Sequence, residues 1–465
     1  MARENIFERG SIRKTYFALA LPVTFNMVLS VVYNVADTYF ISRTQNTDLV
    51  AAVSLCGPIF MIMMAFGNIF GQGGASKISR LYGSGDLSAT KKVSSFCFWA
   101  AVAVGVLLGG AMLLLHRPLL SLLGTTEETY PYALEYYMTM SAGAPFLTLN
   151  FIHMNLLRSE GMSKESMFGS AGGILINIIL DPIFISVFHW DAFGAALATV
   201  IGYIFTDVFL FIIVQKKSRI LSVKPKIARI SSRVAAEIVT VGLSVAITNI
   251  LSSICTILTN QFLLPYGNDR IAAMGISHKV SMIVFLVMIG MTTGAAPIVG
   301  YYYGARSFVK LKKLLRFLCL VVGGTVAVTG LILYIAAKPF VGLFLEDPAI
   351  VEQGSLMLRW QVALMLFAAA AMIISVCFQA SGMAAEALII SFLRQGIVFF
   401  VVIEILARVF GYMGIITAQA ATDVITALIC GTLFFLRFWP KIRNTAGGKP
   451  EPRQTGAESE RQTEQ

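Results

Sequence analysis

Between about residues 15 and 436 the sequence is a succession of continuously apolar runs. Each is long enough to cross a hydrocarbon layer of about 30 Å as a helix. Lipid offers no hydrogen bonds to the backbone, so a crossing segment must satisfy its own amide groups as a helix or in a closed barrel. The runs lack the apolar–polar alternation of barrel strands, which leaves helices. Twelve spans fit: 15–40, 50–76, 93–115, 134–156, 167–188, 193–214, 235–263, 271–299, 315–337, 356–379, 388–408 and 412–436. With 57% hydrophobic and 13% charged residues, against about 25% charged in a globular domain, the chain reads as an all-α polytopic membrane protein.

The net charge of +11 raises the question of nucleic acid, but the cations lie in short connections rather than on one domain, so no nucleic-acid partner is expected. Membrane topology accounts for them better. With both termini on the cytoplasmic side, 29 of the 36 Lys and Arg residues fall on that side. The polar lead contains no small-residue cleavage site, so the first span is expected to serve as its own insertion signal. Six cysteines, from Cys56 to Cys430, mostly sit in apolar runs without metal spacing and read as small buried residues.

An offset of 221 positions brings related residues together. Asp48-Leu49-Val50-Ala51-Ala52 meets Asp269-Arg270-Ile271-Ala272-Ala273, and Gly73 meets Gly294. Leu81-Tyr82-Gly83 meets Tyr302-Tyr303-Gly304, and Gly161-Met162 meets Gly382-Met383. Six spans per repeat is an even number, so both halves share one orientation and form two parallel six-helix lobes. The expected organisation is an N-terminal lobe over 1–214, a basic linker over 215–234, a C-terminal lobe over 235–437 and a disordered tail over 438–465.

Within the run 168–188, Asp181 is the sole formal charge, followed by Pro182. A carboxylate at membrane depth marks an ion path or binding site by default. Asp37 lies at similar depth in the first span, near Tyr33 and Asn34. Asn177 precedes Asp181 by one turn, and Thr199 stands level in the sixth span. Carboxylate, amide and hydroxyl oxygens without a basic partner suit Na⁺ or a shared proton. The competing reading makes Asp37 an interfacial residue and Asp181 a helix terminus. Pro22 sits inside the first span, as either a bending point or a fixed kink.

Met61, Met63, Met64, Met282, Met288 and Met291 are candidates for an adaptable apolar cavity or for plain packing. Tyr137, Tyr301 and Tyr303 read as interfacial anchors. Asp207 and Asp423 are candidate polar lining residues, or partners of hydroxyls within their bundles. Glu404 stands four residues from Arg408, as a salt-bridge partner or a coupling acid. The position 221 beyond Asp181 is Val402, so the acid has no copy in the second half.

Leu21-Pro22, Asn34-Val35-Ala36-Asp37, Gly73 to Gly83, Arg158-Ser159-Glu160-Gly161, Asn177 to Pro182 and Gly194 to Thr199 together resemble the multidrug and toxic compound extrusion (MATE) family, nearest its bacterial MepA-type and DinF-like branch. The resemblance covers residues 10–437. It implies a V-shaped cavity between the lobes and a secondary active antiporter, not an enzyme. Such an antiporter, functional as a monomer, needs no cofactor and exports cationic or amphipathic drugs in exchange for inward Na⁺ or H⁺. It implies a multi-pass protein of the bacterial cytoplasmic membrane with the family's cation site on Asp37, Asn177, Asp181 and Thr199, a metal site only if Na⁺ is the coupling ion. Further acids used by some relatives in the seventh and tenth spans are not recognisable here. The alternative function is a flippase for a lipid-linked sugar or an exporter of an endogenous metabolite.

Overall fold

The computed structural model describes residues 6–44, 46–344 and 347–443. The tail expected to be disordered over 438–465 begins later than that: Trp439–Arg443 is helical, with Phe438 and Ile442 buried in the core, and residues from 444 onward, like the lead before residue 6, lie outside the described residues. Twelve helical units cross the molecule. The first lobe has α1 (Ile12–Ser42), α2 (Gly57–Ser84), α3 (Leu87–Leu114), α4 (Tyr130–Ala142 and Ala144–Ser159), α5 (Ser163–Asp181) and α6 (Asp191–Lys217). The second has α7 (Ser232–Leu263), α8 (Asn268–Thr293), α9 (Phe308–Ile335), α10 (Pro348–Ala363 and Met365–Ala380), α11 (Ala384–Phe392 and Val398–Phe410) and α12 (Tyr412–Leu433).

Ten of these are long and apolar enough to cross a membrane unaided, and the α10 pair, bent by 42°, makes an eleventh. The twelfth is α4. Gly143 and Pro145 break it, and Asn150, His153, Asn155 and Arg158 make its second half polar. Apolar side chains such as Leu107, Leu114 and Leu320 project outward, as a lipid-facing belt requires.

Helix boundaries carry the repeat. Leu87–Leu114 and Phe308–Ile335 are related by the offset of 221, as are the first residues of α6 and α12. The break at Gly143 in α4 recurs at Leu364 in α10. The repeats pair symmetrically between lobes: α1 packs against α8, and α2 against α7.

The lobes meet closely at one end, where α2 crosses the short helix Ala296–Gly304 that follows α8. A Cβ on Gly83 would lie 2.1 Å from the Tyr301 carbonyl oxygen, and one on Gly304 would lie 2.0 Å from that of Arg80. Gly83 and Gly304 are repeat mates, and so are Arg80 and Tyr301, so the crossing is two-fold symmetric down to single residues. Between lipid-soluble helices, small residues of this kind replace hydrophobic burial as the source of tight packing. Lys77 and Arg80 of α2 reach Glu237 of α7 at 2.7 and 2.5 Å. The Tyr16 hydroxyl donates to the Met291 carbonyl at 3.1 Å. The short helix Ile6–Arg9 buries Phe7 at the same seam, stacked on Tyr301 with centroids 4.7 Å apart.

Toward the opposite end, the described inter-lobe polar contacts reduce to Ser253 on the Met61 sulfur at 3.8 Å. The lobes therefore enclose a V, shut at the Gly83–Gly304 end. Tyr137 and Tyr301 are not interfacial anchors. Tyr137 is fully buried and donates to the Met112 carbonyl at 2.8 Å, and Tyr301 belongs to the lobe seam.

Candidate cation site

The first lobe builds its polar cluster on the crossing of α5 and α6. Gly173 and Gly202 let the two backbones touch, since a Cβ on Gly173 would lie 2.5 Å from the Gly202 carbonyl oxygen. One turn further along α5, Asn177 then faces Thr199 of α6, and one turn beyond that Asp181 ends the regular helix. Pro182 supplies no amide hydrogen, and the chain widens into a π-helical turn over Pro182–Val187.

Asn177 ties the cluster together. With its amide oriented to satisfy the network, the nitrogen donates to Asp181 Oδ2 at 3.2 Å. The amide oxygen then faces the Thr199 hydroxyl at 3.3 Å and its backbone nitrogen at 3.1 Å. The Tyr33 hydroxyl of α1 lies 3.3 Å from Thr199 Oγ1, so α1 joins the same network. Asp181 has no exposed surface, and Asn177 and Thr199 are buried. Asp37 is half-buried and within electrostatic reach of Asp181, Tyr33, Tyr136 and Tyr203.

Among the described residues, no Lys, Arg or His pairs with Asp37 or Asp181. Two carboxylates within electrostatic reach of each other, with an amide and hydroxyls beside Asp181, offer oxygen donors to a hard monovalent cation, or a pair able to share a proton. Tyr136 and Tyr203 complete the surroundings. Their sequence context is that of ordinary packed aromatics, and the repeat offset offers no signal for them. The Asn34 side chain lies outside what is described.

The other candidates separate into distinct places. Met61 projects into the cleft and Met64 is half-buried, whereas Met288 and Met291 are packed in the core of the second lobe. Met282 is exposed. Pro22 lies within a helix that stays continuous from Ile12 to Ser42. Asp207 does not line the cleft. It is buried beside His153, with Oδ1 3.5 Å from Nδ1. Asp423 is likewise withdrawn, buried 3.8 Å from Arg394 and accepting from Gln419 at 3.3 Å. Glu404 pairs with Arg408 on an exposed face.

Arg394 and Asp423 explain why the lobes differ. Shifted back by 221, they fall on Gly173 and Gly202. The second lobe thus holds an ion pair where the first has its glycine crossing. The positions matching Asp37, Asn177, Asp181 and Thr199 are Leu258, Val398, Val402 and Ala420. Val398 and Val402 are packed into an apolar cluster with Leu258 against it. Arg394 sits in a π-helical turn over Leu393–Ile397, inside the lobe.

Two parallel lobes closed at one end, with an oxygen-rich site in one of them, define a secondary active membrane transporter rather than an enzyme. The family model MatE matches residues 22–183 and again 244–405, once per lobe. The chain is 31% identical over 430 residues to "Multidrug export protein MepA" of Staphylococcus aureus (strain N315), covering 92% of this chain and 95% of that protein. It is 30% identical over the same length to the protein of that name from Staphylococcus saprophyticus. A solved structure described as the outward-facing conformation of a multidrug resistance MATE family transporter aligns with a TM-score of 0.88 at 23% identity, covering 96% of this chain and all of that one. Another, of a MATE in the bent conformation, aligns with a TM-score of 0.88 over 94% of this chain. The protein belongs to the MATE family, on its MepA-type branch.

Proposed function

We propose that this transporter expels cationic or amphipathic small molecules across a bacterial cytoplasmic membrane, as a monomer, in exchange for Na⁺ or H⁺ bound at Asp37, Asn177, Asp181 and Thr199. The observation that carries the reading is a pair of acids in the first lobe within electrostatic reach of each other and, among the described residues, without a basic partner. With both termini cytoplasmic, the closed end of the V faces the cytoplasm and the open end faces outward. An ion reaching the pocket from outside replaces repulsion between Asp37 and Asp181 with attraction to a common cation. Asp37 and Tyr33 lie on α1, while Thr199 lies on α6 and Asp181 on α5. Ion binding therefore draws α1 onto the α5–α6 pair.

The α1 helix also packs on α8 of the other lobe, so its movement is felt at the lobe interface. Loss of substrate to the outside and closure of the outer cleft follow from one rearrangement. Rocking then opens the cytoplasmic end and releases the ion inside. Met61 and Ser253, facing each other across the cleft, lie where an amphipathic substrate would rest.

The test is uphill movement of a fluorescent cation in proteoliposomes of purified protein, with Na⁺ and pH gradients imposed separately. Accumulation against its own gradient under at least one of them is expected. Movement that only dissipates the dye gradient under both would make the protein a passive pathway.

A further inference from the structure

The floor of the V contains a buried cation that the transport mechanism does not use. Arg158 lies in the last turn of α4 and is 8% exposed. Its Nε is shielded from solvent and has no hydrogen-bond partner, and the guanidinium forms no ion pair among the described residues. Burying a charge without an opposite charge is strongly unfavourable, and at the seam of a membrane protein it signals a ligand.

Arg158 lines a cavity of about 30 Å³ at the closed end of the lobes, together with Gln72, Asn155, Thr293 and Gln379. Gln72 and Thr293 are repeat mates, and so are Arg158 and Gln379. The cavity therefore sits on the pseudo-two-fold axis, with walls from both lobes. Its charge breaks that symmetry, because Arg158 faces a neutral amide instead of a second arginine.

Among the described residues no carboxylate lines the cavity. The acids nearby in the fold are engaged elsewhere. Glu237 holds Lys77 and Arg80, and Glu160 accepts from the Ser218 hydroxyl and the Arg219 N–H. Several hydroxyls are also committed: Ser76 donates to the Gln379 carbonyl and Thr293 to that of Ile289. What remains free to donate is the Arg158 fork, the Gln72 amide and the second N–H of Asn155 and of Gln379. That is a donor-rich pocket with one positive charge.

We infer that this cavity is a binding site for a single small inorganic anion of halide size, held by Arg158 between the two lobes. The space exceeds what one water needs, so a monatomic anion such as chloride or bromide fits, and a single arginine balances one negative charge better than the two of a divalent oxyanion. Thr293 and Gln379 belong to the second lobe and leave when the lobes part at this end. The anion therefore binds the shut form better and favours it by linkage.

The probe is ³⁶Cl⁻, measured by equilibrium binding to full-length protein in nanodiscs. Gluconate serves as the inert counter-ion at fixed Na⁺ and pH. The expected result is saturable binding near one chloride per chain, displaced by bromide and not by phosphate. Arg158→Gln is expected to weaken it about tenfold or more, the scale of a lost charge-assisted contact. Gln72→Leu, at a half-buried position, is expected to weaken it by a smaller factor, which keeps the test open should the arginine variant not fold. A wild-type protein without saturable chloride binding would overturn the inference and leave the cavity to water. Unchanged affinity in Arg158→Gln would overturn it too.

Discussion

Asp181 has no exposed surface and, among the described residues, no basic partner, so its oxygens are available to a cation or a proton in a way that a paired carboxylate's are not. Asn177 holds it in place. Asn177→Leu keeps the volume and removes the bridge to Asp181 and Thr199. It is expected to weaken ion-dependent transport about tenfold, as a higher ion concentration for half-maximal efflux, with normal amounts of folded protein by size-exclusion chromatography. Arg394 and Asp423 make the opposite case. Arg394→Met alone leaves a buried acid unmatched and is expected to cost about 3–5 kcal/mol, whereas Arg394→Met with Asp423→Leu is expected to recover most of that. Denaturation of the two variants and the wild type checks it. A double variant as unstable as the single would assign Asp423 more than a structural part. Asp37, Asn177, Asp181 and Thr199 were legible because polar atoms in an apolar run have few other reasons to be there. Arg158 and Arg394 were not, since an arginine near the end of a span also reads as a topology signal, and only its burial distinguishes the two.

The α5–α6 crossing shows how one small-residue contact sets a site a turn away. A Cβ at Gly173 would lie 2.1 Å from the Thr206 hydroxyl as well as 2.5 Å from the Gly202 carbonyl oxygen. Gly173→Val is expected to lower stability by about 1–3 kcal/mol, and to impair transport by carrying Asn177 away from Thr199. Gly110→Ala, where nothing stands within 4 Å of the added carbon, is expected to change neither. Thermal unfolding and dye efflux on the same preparations check the pair. Span existence was readable from apolar length, but span ends and breaks were not. The second span, expected over 50–76, runs as α2 to Ser84 because Lys77 and Arg80 find Glu237 inside the protein. The expected eighth span, 271–299, is interrupted after Thr293 and resumes as Ala296–Gly304, with Pro297 in its first turn. Apolar length alone does not reveal such a break.

At the scale of the molecule, two lobes of one ancestry have been given different tasks. The offset of 221 survives in helix boundaries and in the Gly83–Gly304 crossing, while the polar chemistry survives on one side only. The repeat announced the two lobes from sequence, but not which end is shut, because closure depends on contacts between residues far apart in the chain. Glu237 belongs to that closure. Its pairs with Lys77 and Arg80 are partly exposed, so Glu237→Gln is expected to cost the shut form about 1 kcal/mol, a roughly fivefold change in population. Spin-label distances between α2 and α7 at this end would broaden toward longer values. An unchanged distribution would show that the glycine crossing alone holds the lobes together.

The most direct measurement of a one-sided ion switch is gradient-driven dye efflux in proteoliposomes by three proteins side by side: wild type, Asp181→Asn, and Arg394→Met with Asp423→Leu. The account predicts that Asp181→Asn inserts normally but fails under both the Na⁺ and the pH gradient, while the second-lobe variant transports. Efflux by Asp181→Asn at the wild-type rate, or its loss in a well-folded second-lobe variant, would contradict it.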